Sequence, residues 1–345
     1  RTAAQDIPGK LTISVLTSGG LSQRPLDITS KPVSMLAVGE ITTIAGGQIF
    51  TGDGGLAITS NLITPKGVVS DSNGNLFIFE PTSIRRIDKQ TGVITTIAGG
   101  GSTVEDGVLA TTSQIIPFNV VVDKSGNLLV ADFLTQSVRK IDSVTNVITT
   151  IAGAKGRRFS GDGGPAIQAG FNDLKDLAFD NDGNLLVLEE TRLRRIDSMG
   201  IITTIAGNGS NKFSGDGGPA SVAGFGAAVD VDVDNNNNIF ITETFSGRVR
   251  QINSSGIINT IAGNGRKNFN KRNGKAATKV GLNFPSSAIA TNDGKLFILD
   301  GGPLIKLEDG SKKALGAISQ VDLNTGIIRN IDIKLSNFPS LSNVN

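Results

Sequence analysis

No cysteine, histidine, tryptophan or tyrosine occurs in the 345 residues, and only Met35 and Met199 carry sulfur. Without histidine or cysteine there is no Ser-His-Asp or Cys-His relay, and no thiolate or imidazole to hold zinc, copper, haem or an iron–sulfur cluster. No disulfide can form, so cysteine usage gives no redox compartment. No apolar run approaches the roughly 18 residues of a membrane-spanning helix. Charge of neither sign dominates, because 33 Lys+Arg against 31 Asp+Glu leave a net charge of +2. The chain opens on Arg1, which is read as a processed or trimmed N-terminus.

What is abundant is glycine, with 44 residues, and repetition. ITTIAGG begins at Ile41 and Ile94, ITTIAGA at Ile148, ITTIAGN at Ile202 and INTIAGN at Ile258, and the string decays to IRNIDIK from Ile328. The second isoleucines, Ile44, Ile97, Ile151, Ile205, Ile261 and Ile331, are 53, 54, 54, 56 and 70 residues apart. A period near 54 exceeds those of leucine-rich and helical solenoids and approaches the longest propeller repeats.

Each unit holds four short runs rich in Val, Ile, Leu and Thr with no helical period. Between the first and second runs the third turn position is Gly74, Gly126, Gly183, Asn237 or Gly294. Before the fourth run stands Gly92, Asn146, Gly200, Gly256 or Gly326. Only Gly and Asn appear at either position, as a left-handed hairpin backbone requires. Five units are complete, and residues 11–47 are read as a sixth, degenerate one. The expected fold is all-β, a six-bladed propeller of four-stranded antiparallel blades, since a closed ring leaves only short protected edges. Residues 1–40 are assigned to an N-terminal segment with degenerate first-blade strands, 41–333 to the blades and 334–345 to a tail.

TIAG followed by SGDGGPA (Ser160–Ala166, Ser214–Ala220), the variant TGDGGLA (Thr51–Ala57), VVVDKSGNLLVAD (Val120–Asp132) and VRKID (Val138–Asp142) resemble the NHL-repeat family of β-propellers. The resemblance is to the long-loop subtype of secreted and cell-surface bacterial proteins and of teneurins. It covers residues 41–300 well, and it implies a propeller acting as a binding platform without implying a reaction.

Several residues are candidates for more than structure. Glu80, Asp132, Glu189, Glu243 and Asp300 close the second strands, and Arg85, Arg139, Arg194 and Arg250 follow in four units. Recurrence in every blade favours an intra-blade carboxylate–guanidinium pair over a binding ring. The GDGG loops lack the Lys-Ser/Thr of a phosphate loop and read as tight turns, with Pro165 and Pro219 starting a short helical turn. Asn119, Asp176, Asp230 and Asp232 sit on innermost strands, where hard oxygens facing the channel suit Ca²⁺ or Mg²⁺. A hydrated polar channel with no ion is the other reading. Arg266, Lys267, Lys271, Arg272, Lys275 and Lys279 form a basic loop able to meet a polyanion or acidic partner. The near-neutral chain, with Phe269 as the one aromatic near that loop, argues against nucleic acid. Asn208 and Asn253 begin glycosylation sequons.

The expected function is a non-enzymatic, extracellular or surface-exposed propeller without a required cofactor. It would bind a protein partner or assemble with itself through its terminal segments. The alternatives are a Ca²⁺- or Mg²⁺-dependent lactonase- or lyase-like enzyme using the channel carboxylates, and polyanion binding through the basic loop. The missing Cys, His, Trp and Tyr, with Phe77, Leu129, Leu186, Phe240 and Phe297 on the second strands where the family often carries Tyr, point to durability in an oxidising setting.

Overall fold

A computed structural model of the chain describes Ala45, 52–153, 158–267, 272–301, 304–306, 312–314 and 316–331. Within these residues five antiparallel sheets of four or five strands follow one another along the chain. Blade 1 is built from Gly67–Ser70, Leu76–Phe79, Ser83–Ile87 and Ile94–Gly99. Blade 2 takes Pro117–Val122, Leu128–Asp132, Ser137–Ile141 and Val147–Ala152, and blade 3 takes Leu174–Phe179, Leu185–Glu189, Arg192–Ile196 and Ile201–Ala206. Blade 4 comprises Ala228–Val233, Ile239–Glu243, Arg248–Ile252 and Ile257–Ala262. Blade 5 comprises Ser287–Ala290, Lys295–Asp300, Ala317–Asp322 and Ile327–Asn330.

Six four-stranded blades are corrected to five blades of four or five strands. Residues 11–47 carry two apolar stretches instead of four, and only their ITTIAG end matches the repeat; apart from Ala45 they lie outside the described residues. The assignments of 1–40 and 334–345 lie outside them as well. The extra strand is short. Val108–Leu109, Gly164–Pro165, Gly218–Pro219 and Lys275–Ala276 each pair with the outermost strand of the blade that follows them in sequence. The loop at the GDGG position therefore zips the rim of blades 2 to 5 before the chain dives to the channel. The lengthened last repeat is explained by a hairpin, Leu304–Lys306 with Lys312–Ala314, inserted between the second and third strands of blade 5.

Both turn positions read from the repeat are left-handed, with φ of +82° at Gly126, +62° at Asn237, +56° at Asn146 and +76° at Gly200. The core lies between sheets. One cluster joins Val121 and Leu129 of blade 2 to Leu177 and Val187 of blade 3, and another joins Phe240 and Val249 of blade 4 to Leu296 and Ile298 of blade 5.

The final glycine of TIAG has its own steric reason. At Gly207 φ is +85°, and a Cβ would lie 2.4 Å from the Thr191 carbonyl oxygen in the turn between the second and third strands. Gly99 and Gly263 meet the backbone in the same way. Gly207→Ala is expected to cost about 2–4 kcal/mol, combining left-handed strain with overpacking. A urea unfolding midpoint unchanged from wild type would show that the turn yields.

Candidate functional site

The five innermost strands line one cavity of about 170 Å³ on the ring axis, bounded by Val69, Val121, Leu177, Val231 and Ile289 together with Asn119, Asp176, Asp230 and Asp232. An innermost strand pairs on one side only, so its other edge presents backbone N–H groups to the channel that need acceptors. Asp176 Oδ2 of blade 3 accepts from Val231 N of blade 4 at 2.7 Å. Asp230 Oδ2 and Asp232 Oδ2 of blade 4 accept from Ala288 N and Ala290 N of blade 5 at 2.9 and 2.8 Å. Asp230 also accepts from Ser287 Oγ at 3.0 Å and Thr242 Oγ1 at 3.2 Å. These side chains bridge consecutive blades. In blade 2 Asn119 takes this place, and its buried Oδ1 has no hydrogen-bond partner. The matching amide, that of Leu177, is engaged by the Asp176 carboxylate instead.

Burial dominates the electrostatics. It pushes the Asp230 carboxyl up to about 7 against the pull of the Ala288 amide, with the Asp232 charge adding to the rise. Burial, followed by the charge of Asp230, holds Asp176 well above the usual carboxylate range. Among the described residues no group of three or more Asp and Glu side chains is arranged to hold a metal ion. Asp234, which alternation places on the same face, caps the hairpin by accepting from the amides of Asn236 and Asn238.

The second-strand carboxylates anchor the segment that enters the channel. Glu80 accepts from Ile63 N, Asp132 from Ile116 N, Glu189 from Asn172 N and Glu243 from Gly226 N, at 2.6–2.9 Å. The expected pairing with arginine occurs in blade 4, where Arg250 Nη1 lies 3.3 Å from Glu243, and more loosely in blade 3, where Arg194 lies 3.7 Å from Glu189. Burial lifts Glu189 to about 7 even so.

The sequence reading missed the stronger partner, the aspartate of the GDGG-type loop. Asp53, Asp106, Asp162 and Asp216 bind Arg85, Arg139, Arg194 and Arg250 at 2.7–3.1 Å. Asp53, Asp106 and Asp162 also accept from the Thr96, Thr150 and Thr204 amides of the outermost strands. This explains why GDGG travels with ITTIAG. Among these four blades each arginine follows a bulge in the third strand's pairing with the fourth.

Blade 5 inverts the arrangement and corrects the basic-loop reading. Ser319 occupies the arginine position, and Arg272 enters from the loop to fill the same buried space. Its Nη2 lies 2.8 Å from Asp300 and its Nη1 donates to Ser319 Oγ at 3.1 Å. Arg272 is fully buried and is withdrawn from any polyanion surface. Arg266, Lys267, Lys275 and Lys279 are exposed, and Lys271 lies outside the described residues. Pro165 and Pro219 precede their short helical turns, which begin at Ala166 and Ala220.

Of the two sequons, Asn208 donates its Nδ2 to Val222 O at 2.9 Å, whereas Asn253 lies in an exposed turn and accepts from the amides of Ser255 and Ile257.

Sequence reasoning also passed over the end of the ring where the innermost strands begin. Phe118 and Lys175 occupy bulges at the starts of their strands. The Phe118 ring lies 5.3 Å from that of Phe133, with Lys66 and Lys175 ammonium groups 5.0 and 5.7 Å from its centroid. Lys267 lies 4.0 Å from the Phe284 ring and 5.7 Å from that of Phe245. The only forewarning in the sequence was the retention of phenylalanine in a chain without other aromatics.

Comparison with known proteins gives a match of residues 29–115 to the family described as Teneurin NHL domain. Teneurin-1 of Gallus gallus is 27% identical over 167 residues, spanning 45% of this chain and 6% of that protein. Teneurin-1 of Mus musculus is 24% identical over 239 residues, 60% of this chain and 9% of that protein. The chain thus spans less than a tenth of the length of these curated relatives. Among solved structures, virginiamycin B lyase from Staphylococcus aureus aligns with a TM-score of 0.47 at 16% identity, covering 80% of this chain and 74% of that one. A streptogramin B lyase aligns with a TM-score of 0.48 at 12% identity, covering 82% and 73%. Likeness at this level carries nothing about activity.

Proposed function

We propose that this NHL-repeat propeller is a non-enzymatic, extracellular or surface-exposed module that works by binding a protein partner or a further copy of itself. The observation that carries the reading is the use made of the channel carboxylates. Asp176, Asp230 and Asp232, the groups an ion-dependent hydrolase or lyase would need, spend their oxygens on the amides of the next blade. Catalytic carboxylates must reach a substrate, whereas these reach backbone. The exposed phenylalanines and lysines at one end of the ring supply contact surface instead. The extracellular placement is supported by the teneurin resemblance and by the scarcity of oxidisable side chains.

A calcium titration followed by thermal unfolding separates the readings. The wild-type melting temperature is expected to stay fixed as Ca²⁺ or Mg²⁺ is added at pH 7.5. A rise of several degrees that Asp230→Asn abolishes would favour the ion-dependent enzyme. Placement in an oxidising setting predicts that dilute peroxide leaves the thermal transition unchanged, and rapid loss of the fold would remove that part.

A further inference from the structure

We propose that Phe245, Phe284 and Lys267 form a docking site for an acidic protein segment that carries an aromatic or large aliphatic side chain; the inference rests on the binding-module reading above. Phe245 and Phe284 are 65% and 44% exposed, the two most exposed phenylalanines described. They belong to different blades. Phe245 lies in the turn after the second strand of blade 4, and Phe284 lies in the segment leading to the innermost strand of blade 5. Thr244 Oγ1 donates to Pro285 O at 2.8 Å and fastens the two segments together, and the Lys267 ammonium lies within 5.7 Å of both ring centroids. Phe284 has φ of +51° although it is bulky and precedes proline. That backbone is uncommon for such a residue, and it is maintained where the ring projects.

Charge selects the partner. Lys267 stands over the Phe284 ring, with exposed Arg266 beside it. Glu243 and Asp300, the carboxylates that close the second strands of these two blades, do not offset these cations, because both are buried against Arg250 and Arg272. An apolar patch topped by the exposed cations Arg266 and Lys267 fits a segment that alternates carboxylates with apolar side chains. A nucleic acid fits less well. The Lys267 ammonium, 4.0 Å from the Phe284 centroid, covers one face of that ring and leaves only the other for a stacked base. Phe159 and Phe213 are less exposed, and each carries an arginine of its own blade over its ring, Arg192 and Arg248, at 3.9 Å.

The test is fluorescence anisotropy of the full chain with a labelled Glu-Phe-Glu-Asp-Leu-Glu-Phe-Asp peptide, its lysine-for-acid counterpart and labelled oligouridine. The acidic peptide is expected to bind saturably and more weakly as salt rises. Lys267→Glu and the pair Phe245→Ser with Phe284→Ser are each expected to weaken it about tenfold or more. Lys124→Glu, in the exposed hairpin turn after the innermost strand of blade 2, is expected to leave binding unchanged. Circular dichroism checks that each variant is folded, and surface positions make that the expected result. No saturable binding, tighter binding of oligouridine or the lysine peptide, or equal weakening by Lys124→Glu would overturn the site. A flat peptide titration with no calcium response removes this site alone, whereas a calcium response removes the binding-module reading itself.

Discussion

Arg250→Met is expected to lower unfolding free energy by about 3–5 kcal/mol, the range for breaking a buried ion pair by removing one partner. The guanidinium is fully buried, and its donors are all engaged: Nε and Nη2 on Asp216, Nη2 also on Ser214 O, and Nη1 on Gly224 O and Glu243. Methionine fills much of the space but takes the arginine donors away from Glu243 Oε1 and two loop carbonyls, while Glu243 Oε2 keeps those of Gly226 N and Ser246 Oγ. Urea unfolding monitored by circular dichroism reads the change directly, and a loss below about 1 kcal/mol would mean that the loop and outer strand hold without the guanidinium. Arg272→Met is expected to act alike in blade 5, although that arginine comes from a loop.

The second large effect is a stability that falls as pH rises. Asp230 titrates near 7 in the folded protein against 3.8 as an ordinary carboxyl, and Asp176 is raised in the same direction. Between those values the folded chain keeps protons that the unfolded chain releases, so stability declines with rising pH. At about 1.4 kcal/mol per pH unit the Asp230 displacement alone corresponds to roughly 4 kcal/mol, and Glu189 adds in the same sense. Asp53 and Asp322 have lowered values and act in the opposite sense, but only in more acid solution. Denaturation midpoints should therefore fall from pH 5 to pH 8, and Asp230→Asn should flatten the slope. A wild-type profile that rises over this interval would be incompatible with these burial effects.

The repeat made most of the architecture legible because its turn chemistry is stereochemical. Gly or Asn at two fixed positions per unit leaves little choice but hairpins, and each such residue described has positive φ. Three features were harder to read. The blade number depended on residues 11–47, where only the outer-strand string survives. The channel aspartates were legible as a shared face, but alternation says which way a side chain points and not which neighbour it meets; their partners lie 55–58 residues away in the next blade. The loop aspartates were hidden because glycine turns explain GDGG adequately without a partner, although Asp53 and Asp106 precede the threonines they bind by 43 and 44 residues. Blade 5 did leave a trace in sequence: arginine is missing at Ser319 and gained at Arg272, and a buried carboxylate at Asp300 needed one of them.

This division places the buried charges in the work of holding blades and the exposed phenylalanines and lysines in the work of binding. Hydrogen exchange at the Val231, Ala288 and Ala290 amides tests it most directly, because these donors lie on unpaired inner edges and are accepted there by carboxylates of the preceding blade. They are expected to exchange as slowly as amides inside the sheets, with Asp176→Ala accelerating Val231 selectively and leaving Ala288 protected. Rapid exchange at all three in the wild-type protein, at rates typical of open strand edges, would contradict the account.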